Sequence, residues 1–202
     1  MRKKPQQQRA RLLVESLVDA AAEIVVAEGL DALTTARVAD RAGVSVGSLY
    51  QYFRNKEELI VALTDRVNAD LLDAVDRVAS SSTRDADPRR FTRALLDAAF
   101  DVFEARDGLA LALLRHWHRL DISRGLHRFE QRMLDVLRHY ALAHLRDHPI
   151  DPSPARAFIV INSVVFTLLR YLAQPSEPGF RKEELLDELA GMAAAQLSGR
   201  AG

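Results

Sequence analysis

One short segment, TTARVADRAGVSVGSLYQYF at residues 34–53, limits the possible folds of this chain more than any other. Runs with helical apolar spacing flank the sequence Gly43-Val44-Ser45, and glycine adopts the positive φ that a tight turn needs. Two helices that cross steeply at such a turn also need a small side chain where their backbones approach, and Ala39 supplies one. The segment therefore predicts a helix-turn-helix.

The outer side of the second helix in this pair is unusual in composition. With Leu49 and Phe53 directed inward, helical geometry places small, polar and aromatic side chains outside or at the helix N-terminus. These side chains are Val46, Gly47, Ser48, Tyr50, Gln51 and, in part, Tyr52. A helix N-terminus in the DNA major groove brings short side chains to base edges, while tyrosine hydroxyls reach phosphates from the flanks. The pattern is typical of a DNA-contacting helix.

The rest of the chain also shows helical periodicity. Alanine and leucine abound, and apolar residues recur at helical spacing without the alternation of a strand. We therefore predict an all-α protein of about nine helices, with boundaries uncertain by about 2 to 4 residues. After the helix-turn-helix, the predicted helices lie at 56–79, 88–105, 108–119, 122–147, 153–174 and 182–198.

Several residues mark where the N-terminal helices begin and end. Gly29 follows the last apolar residue of the first helix and predicts its end. Ser45 is expected to cap a third helix that runs through Phe53. Asn55, with Glu58 three residues later, predicts a capping box that opens the long fourth helix.

The composition argues against several kinds of chemistry. The chain has no cysteine, which excludes disulfides, a thiolate nucleophile and cysteine-ligated zinc. It contains no Gly-rich phosphate loop, no His-Glu-x-x-His and no Gly-x-Ser-x-Gly. His144 and His148 share a helix face, but two histidines without a third ligand are a weak metal signal. We expect no metal, no cofactor and no enzymatic activity.

Charge is balanced over the whole chain and uneven locally. The 202 residues carry 28 basic and 28 acidic side chains. The first eleven residues hold five bases, Arg2, Lys3, Lys4, Arg9 and Arg11, and no acid. Such an arm suits a polyanionic partner, although a solvated tail has the same composition.

Two segments bear on localisation. No apolar segment directly follows the basic N-terminus, as a secretory signal requires, so we expect a cytoplasmic protein. The most apolar run, FIVINSVVFTLLRYL at 158–172, is expected to be too short for a bilayer, and it carries Asn162 and Arg170. We predict a buried helix there and no membrane partner.

The stretch LTTARVADRAGVSVGSLYQYFRNKEELIVAL, residues 33–63, resembles the helix-turn-helix head of the TetR/AcrR family of transcriptional regulators. The shared features are the threonine pair, VADRAGVS at the turn, the pattern Gly-x-Leu-Tyr-x-Tyr-Phe in the recognition helix, and NKEEL at the start of the fourth helix. The family often has histidine where Tyr52 stands. The resemblance covers about residues 9–65, and the remainder agrees with the family only in length and number of helices.

The resemblance implies roles for the head residues. From the residues alone, either Thr34 or Thr35 could cap the second helix. The resemblance gives Thr35 the cap and a phosphate contact, and it makes Tyr50 and Lys56 phosphate clamps. Arg37 is expected to bind either a phosphate or a neighbouring acid. Contacts in the groove are expected from Ser45, Val46, Gly47, Ser48 and Gln51, with Tyr52 beside them.

A dimer follows from the size of a DNA site. One helix-turn-helix covers too little DNA for tight specific binding, whereas two related by a twofold axis fill half-sites about one helical turn apart. The run 155–172 is apolar on nearly every face and needs cover on more than one side, so it and 182–197 are the predicted interface. Small residues that permit close approach there are Gly191, Ala193, Ala194 and Ala195. A monomer with a deeply buried helix is the alternative.

A ligand pocket is implied by the resemblance, and no motif defines it. Asn162 in an apolar helix needs a hydrogen-bond partner, which could be a protein group, a water or a ligand. Trp117 between two histidines is the most distinctive cluster. The candidate ligand-binding residues are Phe103, Leu113, Trp117, Met133, Asn162 and Phe166. Ordinary core packing is the alternative for the apolar ones.

These inferences define one hypothesis. Residues 1–55 form a basic arm and DNA-binding head, and residues 56–202 form a ligand-binding and dimerisation domain. The protein is predicted to be a cytoplasmic homodimeric repressor that a small-molecule effector releases from a palindromic operator. A ligand-independent dimeric regulator is one alternative, and a helical small-molecule-binding protein or enzyme without DNA binding is another.

Overall fold

The computed structural model describes residues 3–81, 87–105, 108–144, 153–173 and 179–198. Within these ranges the chain forms nine α-helices and no strand, which confirms the predicted all-α class. The helices are α1 (Lys3–Glu28), α2 (Thr35–Arg41), α3 (Val46–Tyr50), α4 (Lys56–Ser81), α5 (Pro88–Phe103), α6 (Leu109–Leu114), α7 (Ser123–Ala143), α8 (Pro154–Leu172) and α9 (Lys182–Leu197). Short 3₁₀ turns lie at Leu30–Ala32 and Trp117–Arg119. Residues 145–147 of the predicted helix 122–147, the segment 148–152 with His148, and the side chains of 1–6 lie outside this description.

The chain packs as two compact units. The first comprises Met1–Val67 and Ala105–Asp121, and the second comprises Asn68–Glu104 and Ile122–Gly202. The first unit therefore contains α6 as well as the helix-turn-helix, and the long helix α4 contributes to both units. The functional division at 55/56 is a separate matter and stays a prediction.

The core of the first unit explains why α6 belongs to it. Leu17 and Ile24 of α1 are fully buried together with Leu49 of α3. Leu109 and Leu113 of α6 join the same cluster. Burying a leucine side chain contributes about 1.5 to 3 kcal/mol, so α6 adds substantially to the stability of the helix-turn-helix.

Two helices are shorter than predicted, for the same reason. The third helix was expected to run through Phe53 but ends at Tyr50, because the Gln51 amide bonds the carbonyl three residues back, at 3.3 Å. The predicted helix 108–119 ends at Leu114, where the His116 amide also bonds three residues back, at 2.9 Å. Such tightened last turns satisfy terminal carbonyl groups without extending the helix.

The second unit is built on α5, α7, α8 and α9 with the C-terminal half of α4. Phe91 of α5 stacks on Tyr140 of α7, with ring centroids 4.2 Å apart. Gly125 of α7 lies so close to Asn68 of α4 that an added Cβ would meet its Nδ2 at 2.1 Å. Any larger residue at 125 would require the Asn68 side chain to move.

Helix α8 is not the buried helix that the sequence predicts. It begins at Pro154, ahead of the apolar run, and its 19 residues are long and apolar enough to cross a membrane by length and composition alone. Only 22% of that stretch is buried within the chain, and Phe158, Ile159 and Phe166 are exposed. The expectation that this helix is too short to span a membrane is therefore wrong. An apolar face of α8 is exposed within the chain.

Candidate nucleic-acid interface

The geometry of α2 and α3 follows from three local features. The Thr34 hydroxyl accepts a hydrogen bond from the Arg37 amide at 3.3 Å and caps α2. Gly43 has a φ of 69°, in the left-handed region, and the Val44 amide bonds the Ala39 carbonyl across the turn at 2.9 Å. The predicted helix-turn-helix is thus confirmed, whereas the cap of α2 is Thr34 and not Thr35.

Thr35 has a different contact. Its hydroxyl lies 3.2 Å from the Tyr50 hydroxyl, so the two side chains are hydrogen-bonded across the α2–α3 pair. Tyr50 is half exposed and Thr35 half buried. One hydroxyl of this pair donates its only proton to the other, and the second hydroxyl keeps its own proton for an external acceptor such as a phosphate oxygen.

The N-terminus of α3 carries the predicted groove residues. The Ser45 hydroxyl caps the helix by accepting from the Ser48 amide at 3.0 Å, and the two hydroxyls are 2.8 Å apart. Val46 and Gly47, in the first turn, are exposed. A Cβ on Gly47 would meet only the Ser45 hydroxyl, at 3.8 Å, so nothing in the chain requires glycine there.

Gln51 and Tyr52 follow α3 in the tightened turn. Gln51 is exposed next to Tyr50, as a groove-contacting side chain must be. Tyr52 is half buried and packs against the core of the first unit, which agrees with its predicted partial burial. Gln51 is therefore more accessible to an external ligand than Tyr52.

Lys56 opens α4 and is already bonded within the chain. Its ammonium donates to the Leu30 carbonyl at 2.9 Å, which ties α4 to the 3₁₀ turn after α1. The amide of Glu58 donates to Asn55 Oδ1 at 2.9 Å, as the predicted cap requires. In the predicted capping box the Glu58 carboxylate would accept from the Asn55 amide. It accepts from the Arg54 amide instead, one residue earlier. An ammonium has three donors, and two remain for a phosphate.

Arg37 lies in a network of ion pairs. Its guanidinium donates to Glu28 at 2.5 Å and to the Ala32 carbonyl at 3.1 Å. Arg41 also faces this cluster and pairs with Glu23 at 3.2 Å. The hydrogen bond from Arg37 lowers the pKa of the Glu28 carboxyl below its ordinary value. Arg37 was predicted to bind either a phosphate or a neighbouring acid, and within the chain it binds the neighbouring acid, Glu28.

The predicted ligand-binding residues are divided between the two units. Leu113 is in the core of the first unit, and Trp117 is 41% exposed on the 3₁₀ turn of that unit. In the second unit, Asn162 is satisfied by Glu130 at 2.8 Å and by the Phe158 carbonyl at 3.0 Å. Phe103 and Met133 lie in helices α5 and α7, and Phe166 is on the open face of α8. Their ligand role stays a prediction.

A cavity that sequence reasoning missed lies in the second unit. Its volume is about 300 Å³, and it is bounded by the end of α4, by α5 and by the C-terminal half of α7. The residues that line it are Ala79, Ser80, Phe91, Arg132, Val136, His139, Tyr140, Ala143 and His144. Tyr140 has helical core spacing in the sequence, which gives no sign that it borders a cavity.

The fold and this surface define a helix-turn-helix protein. Residues 17–63 match the sequence model of the family described as "Bacterial regulatory proteins, tetR family". The N-terminal part of the chain therefore matches the DNA-binding region of TetR-family regulators. It is 34% identical over 122 residues to the HTH-type transcriptional regulator BetI 1 of Chromohalobacter salexigens, an alignment that covers 58% of this chain and 59% of that one. The chain thus matches less than two thirds of this relative's length.

Other similarities extend over more of the chain. The HTH-type nicotine-responsive transcriptional repressor HdnoR of Paenarthrobacter nicotinovorans is 26% identical over 186 residues, which cover 87% of this chain and 90% of the relative. A TetR-family regulator from Streptomyces coelicolor has a TM-score of 0.63 at 21% identity and covers 95% of this chain and 99% of its own. The regulator FadR from Bacillus subtilis in complex with stearoyl-CoA has a TM-score of 0.61 at 16% identity. The match covers 92% of this chain and 98% of that one. These structures show the same fold.

Proposed function

We propose that the protein is a sequence-specific DNA-binding regulator that represses transcription. The observation that carries this proposal is the exposed set of Val46 and Gly47 in the first turn of α3 and Gln51 directly after its last residue, flanked by the Thr35–Tyr50 hydroxyl pair. Short side chains there can reach base edges, while the hydroxyls and Lys56 contact phosphates. The relatives named as transcriptional regulators support the same function, and HdnoR is a repressor by name. Action on DNA places the protein in the cytoplasm.

The active form is proposed to be a homodimer. Phe158, Ile159 and Phe166 expose large apolar side chains on α8, and Met192 does so on α9. Monomeric proteins rarely leave such a contiguous patch uncovered. A second copy of the chain covers it and presents two recognition helices to successive half-sites. Ala193 is buried in the core of its own chain, so the interface on α9 uses Met192 and not the full set of small residues predicted.

A small-molecule effector is proposed to control DNA binding by a population shift. The ligand stabilises a dimer in which the recognition helices no longer match successive major grooves. Helix α4 enters both compact units, so a change in its tilt alters the position of the helix-turn-helix. A ligand without preference for that state shifts nothing. No enzymatic step is part of the proposal.

The test is selection of bound sequences from a random duplex library, followed by titration of the selected site at several salt concentrations. We expect an inverted repeat and an affinity that falls steeply with salt, because each phosphate contact contributes about −0.9 to the slope. The variant Lys56→Ala should reduce the slope by about one without changing base preference. Lys182→Ala, in the second unit, is the matched control and should leave the slope unchanged. Failure to enrich any sequence from ligand-free protein would contradict the proposal.

A further inference from the structure

The cavity in the second unit is open to solvent on one side and is lined mainly by apolar and aromatic surface. Val136 and Ala79 form part of it, and Phe91 and Tyr140 are stacked beside it with ring planes 13° apart. Its volume of about 300 Å³ is at the lower end of the range for ligand pockets. The space therefore suits a small molecule with one ring or a short chain, and it is too small for a long acyl chain with a nucleotide attached.

His144 gives this cavity a polar feature that the chain does not use. The residue ends α7, and its ring lies 4.6 Å from the Tyr140 ring. The residue is buried, with 6% of its surface exposed, and its Nε2 has no hydrogen-bond partner in the described part of the chain. A buried polar atom without a partner is costly, and native proteins satisfy nearly all of them. A group that enters the cavity can bond this nitrogen.

Three other polar side chains of the wall have partners within the chain. Arg132 donates to the Asp76 carboxylate at 2.6 Å, which compensates its charge. His139 Nδ1 is 2.7 Å from the Asp135 carbonyl oxygen, and the Ser80 hydroxyl donates to the Asp76 carbonyl at 2.8 Å. The wall thus offers no uncompensated charge to an anion or a cation, and burying an unpaired ion is expensive.

We propose that this cavity is the effector site and that it binds a small, uncharged, largely apolar molecule through one hydrogen bond to His144 Nε2. The assignment of the site to an effector rests on the proposed function, whereas binding itself does not. Helix α4 forms one wall through Ala79 and Ser80 near its C-terminus. A ligand there contacts the same helix that begins at the helix-turn-helix.

The experiment compares three probes on the full chain. They are p-cresol, toluene as its analogue without a hydroxyl, and benzoate as a charged analogue. Affinities are measured by calorimetry, and the histidine nitrogens are followed by NMR on protein labelled with ¹⁵N-histidine. We expect p-cresol to bind about tenfold more tightly than toluene, as one buried hydrogen bond allows, and to shift the Nε2 resonance of His144. Benzoate should bind more weakly than either.

Three variants test the role of the nitrogen. In His144→Leu, toluene should still bind while the preference for p-cresol disappears, a result that an unfolded protein cannot give. Ala79→Phe keeps the histidine but fills the space, and both probes should be lost. His127→Leu changes an exposed histidine on the same helix and should alter neither affinity.

The outcomes separate this inference from the proposed function. Equal binding of p-cresol and toluene, a preference that survives in His144→Leu, tightest binding of benzoate, or no binding of any probe would each overturn it. If the cavity binds p-cresol and the selected operator is released, the effector assignment is supported. If the operator is bound but p-cresol leaves it in place, the effector assignment is wrong and the regulator stands. If no operator is found, the proposed function fails whatever the cavity binds.

Discussion

Gly47 stands in the first turn of α3 although the chain itself has room for a larger residue. A Cβ there would make only an ordinary contact with the Ser45 hydroxyl. Glycine inside a helix costs about 1 kcal/mol relative to alanine. Since the residue is exposed on the proposed groove-facing side, close approach of DNA is the physical reason to keep it.

Replacing this glycine should therefore have opposite effects on stability and on binding. We predict that Gly47→Ala raises the free energy of unfolding by up to about 1 kcal/mol. Operator affinity should fall tenfold or more, because overpacking at a close contact costs about 1 to 3 kcal/mol. Ser16→Ala, at an exposed position of α1, is the control and should leave affinity unchanged. Denaturant unfolding and operator titration measure both quantities, and unchanged affinity in Gly47→Ala would argue against a groove position.

The neighbouring threonines provide a matched pair. Thr34 caps α2, whereas Thr35 bonds Tyr50. We predict that Thr34→Ala lowers the free energy of unfolding by about 1 kcal/mol, the usual effect of losing a cap. Thr35→Ala should change stability less and weaken operator binding about tenfold at every sequence, as expected for a phosphate contact. The reverse pattern, with stability lost only in Thr35→Ala, would show that the cap is Thr35 after all.

At the scale of elements, periodicity and caps predicted which segments are helical better than where the helices end. Gly29 and Ser45 act as predicted because each uses only its own backbone and its near neighbours. The ends of α3 and α6 were placed too late, because the choice between bonds to the fourth and the third preceding carbonyl depends on packing of the following residues. The local sequence pattern does not predict that packing, so it could not predict where α3 and α6 end.

The crossing of α4 and α7 at Gly125 makes a prediction about a pair of elements. We predict that Gly125→Ala lowers the free energy of unfolding by about 1 to 3 kcal/mol, since its Cβ would overlap the Asn68 side chain. In an Asn68→Ala background the same change should be neutral or stabilising, because the overlapping atoms are gone and alanine favours the helix. A double-mutant cycle by thermal or denaturant unfolding measures this coupling. Additive effects in the cycle would mean that the two helices do not meet at these residues.

At the scale of the whole molecule, the sequence could not indicate which helices share a core. Helix α6 lies far along the chain from the helix-turn-helix, yet Leu109 and Leu113 complete its core. The ligand candidates also belong to different units, since Trp117 falls in the first unit and Met133 in the second. In the sequence, the spacing of His144 from His148 gives only a weak metal signal, whereas in the structure His144 is buried beside a cavity. Packing between residues distant in sequence determines which helices share a core and which side chains border a cavity. Local sequence patterns do not indicate that packing.

The open face of α8 leads to the last prediction. Ile159 and Phe166 are seven residues apart, so they lie on the same side of the helix, and both are exposed. We predict that Phe166→Asp or Ile159→Asp converts the dimer to a monomer in sedimentation equilibrium, because a buried unpaired carboxylate opposes association. Each monomer should keep its helical content. Affinity for the full operator should fall toward the non-specific level, about a thousandfold, because only one half-site is then contacted at a time.

A charge on an exposed apolar residue elsewhere separates this effect from general loss of solubility. Leu142 of α7 is 70% exposed, and Leu142→Asp should leave both the dimer and the operator affinity unchanged. A Phe166→Asp protein that remains dimeric and binds the operator normally would place the interface on another surface. Association of the wild-type protein with lipid vesicles, lost in Phe166→Asp, would instead assign the apolar face of α8 to a membrane. Because the same two residues decide between these outcomes, one variant series identifies what covers the helix.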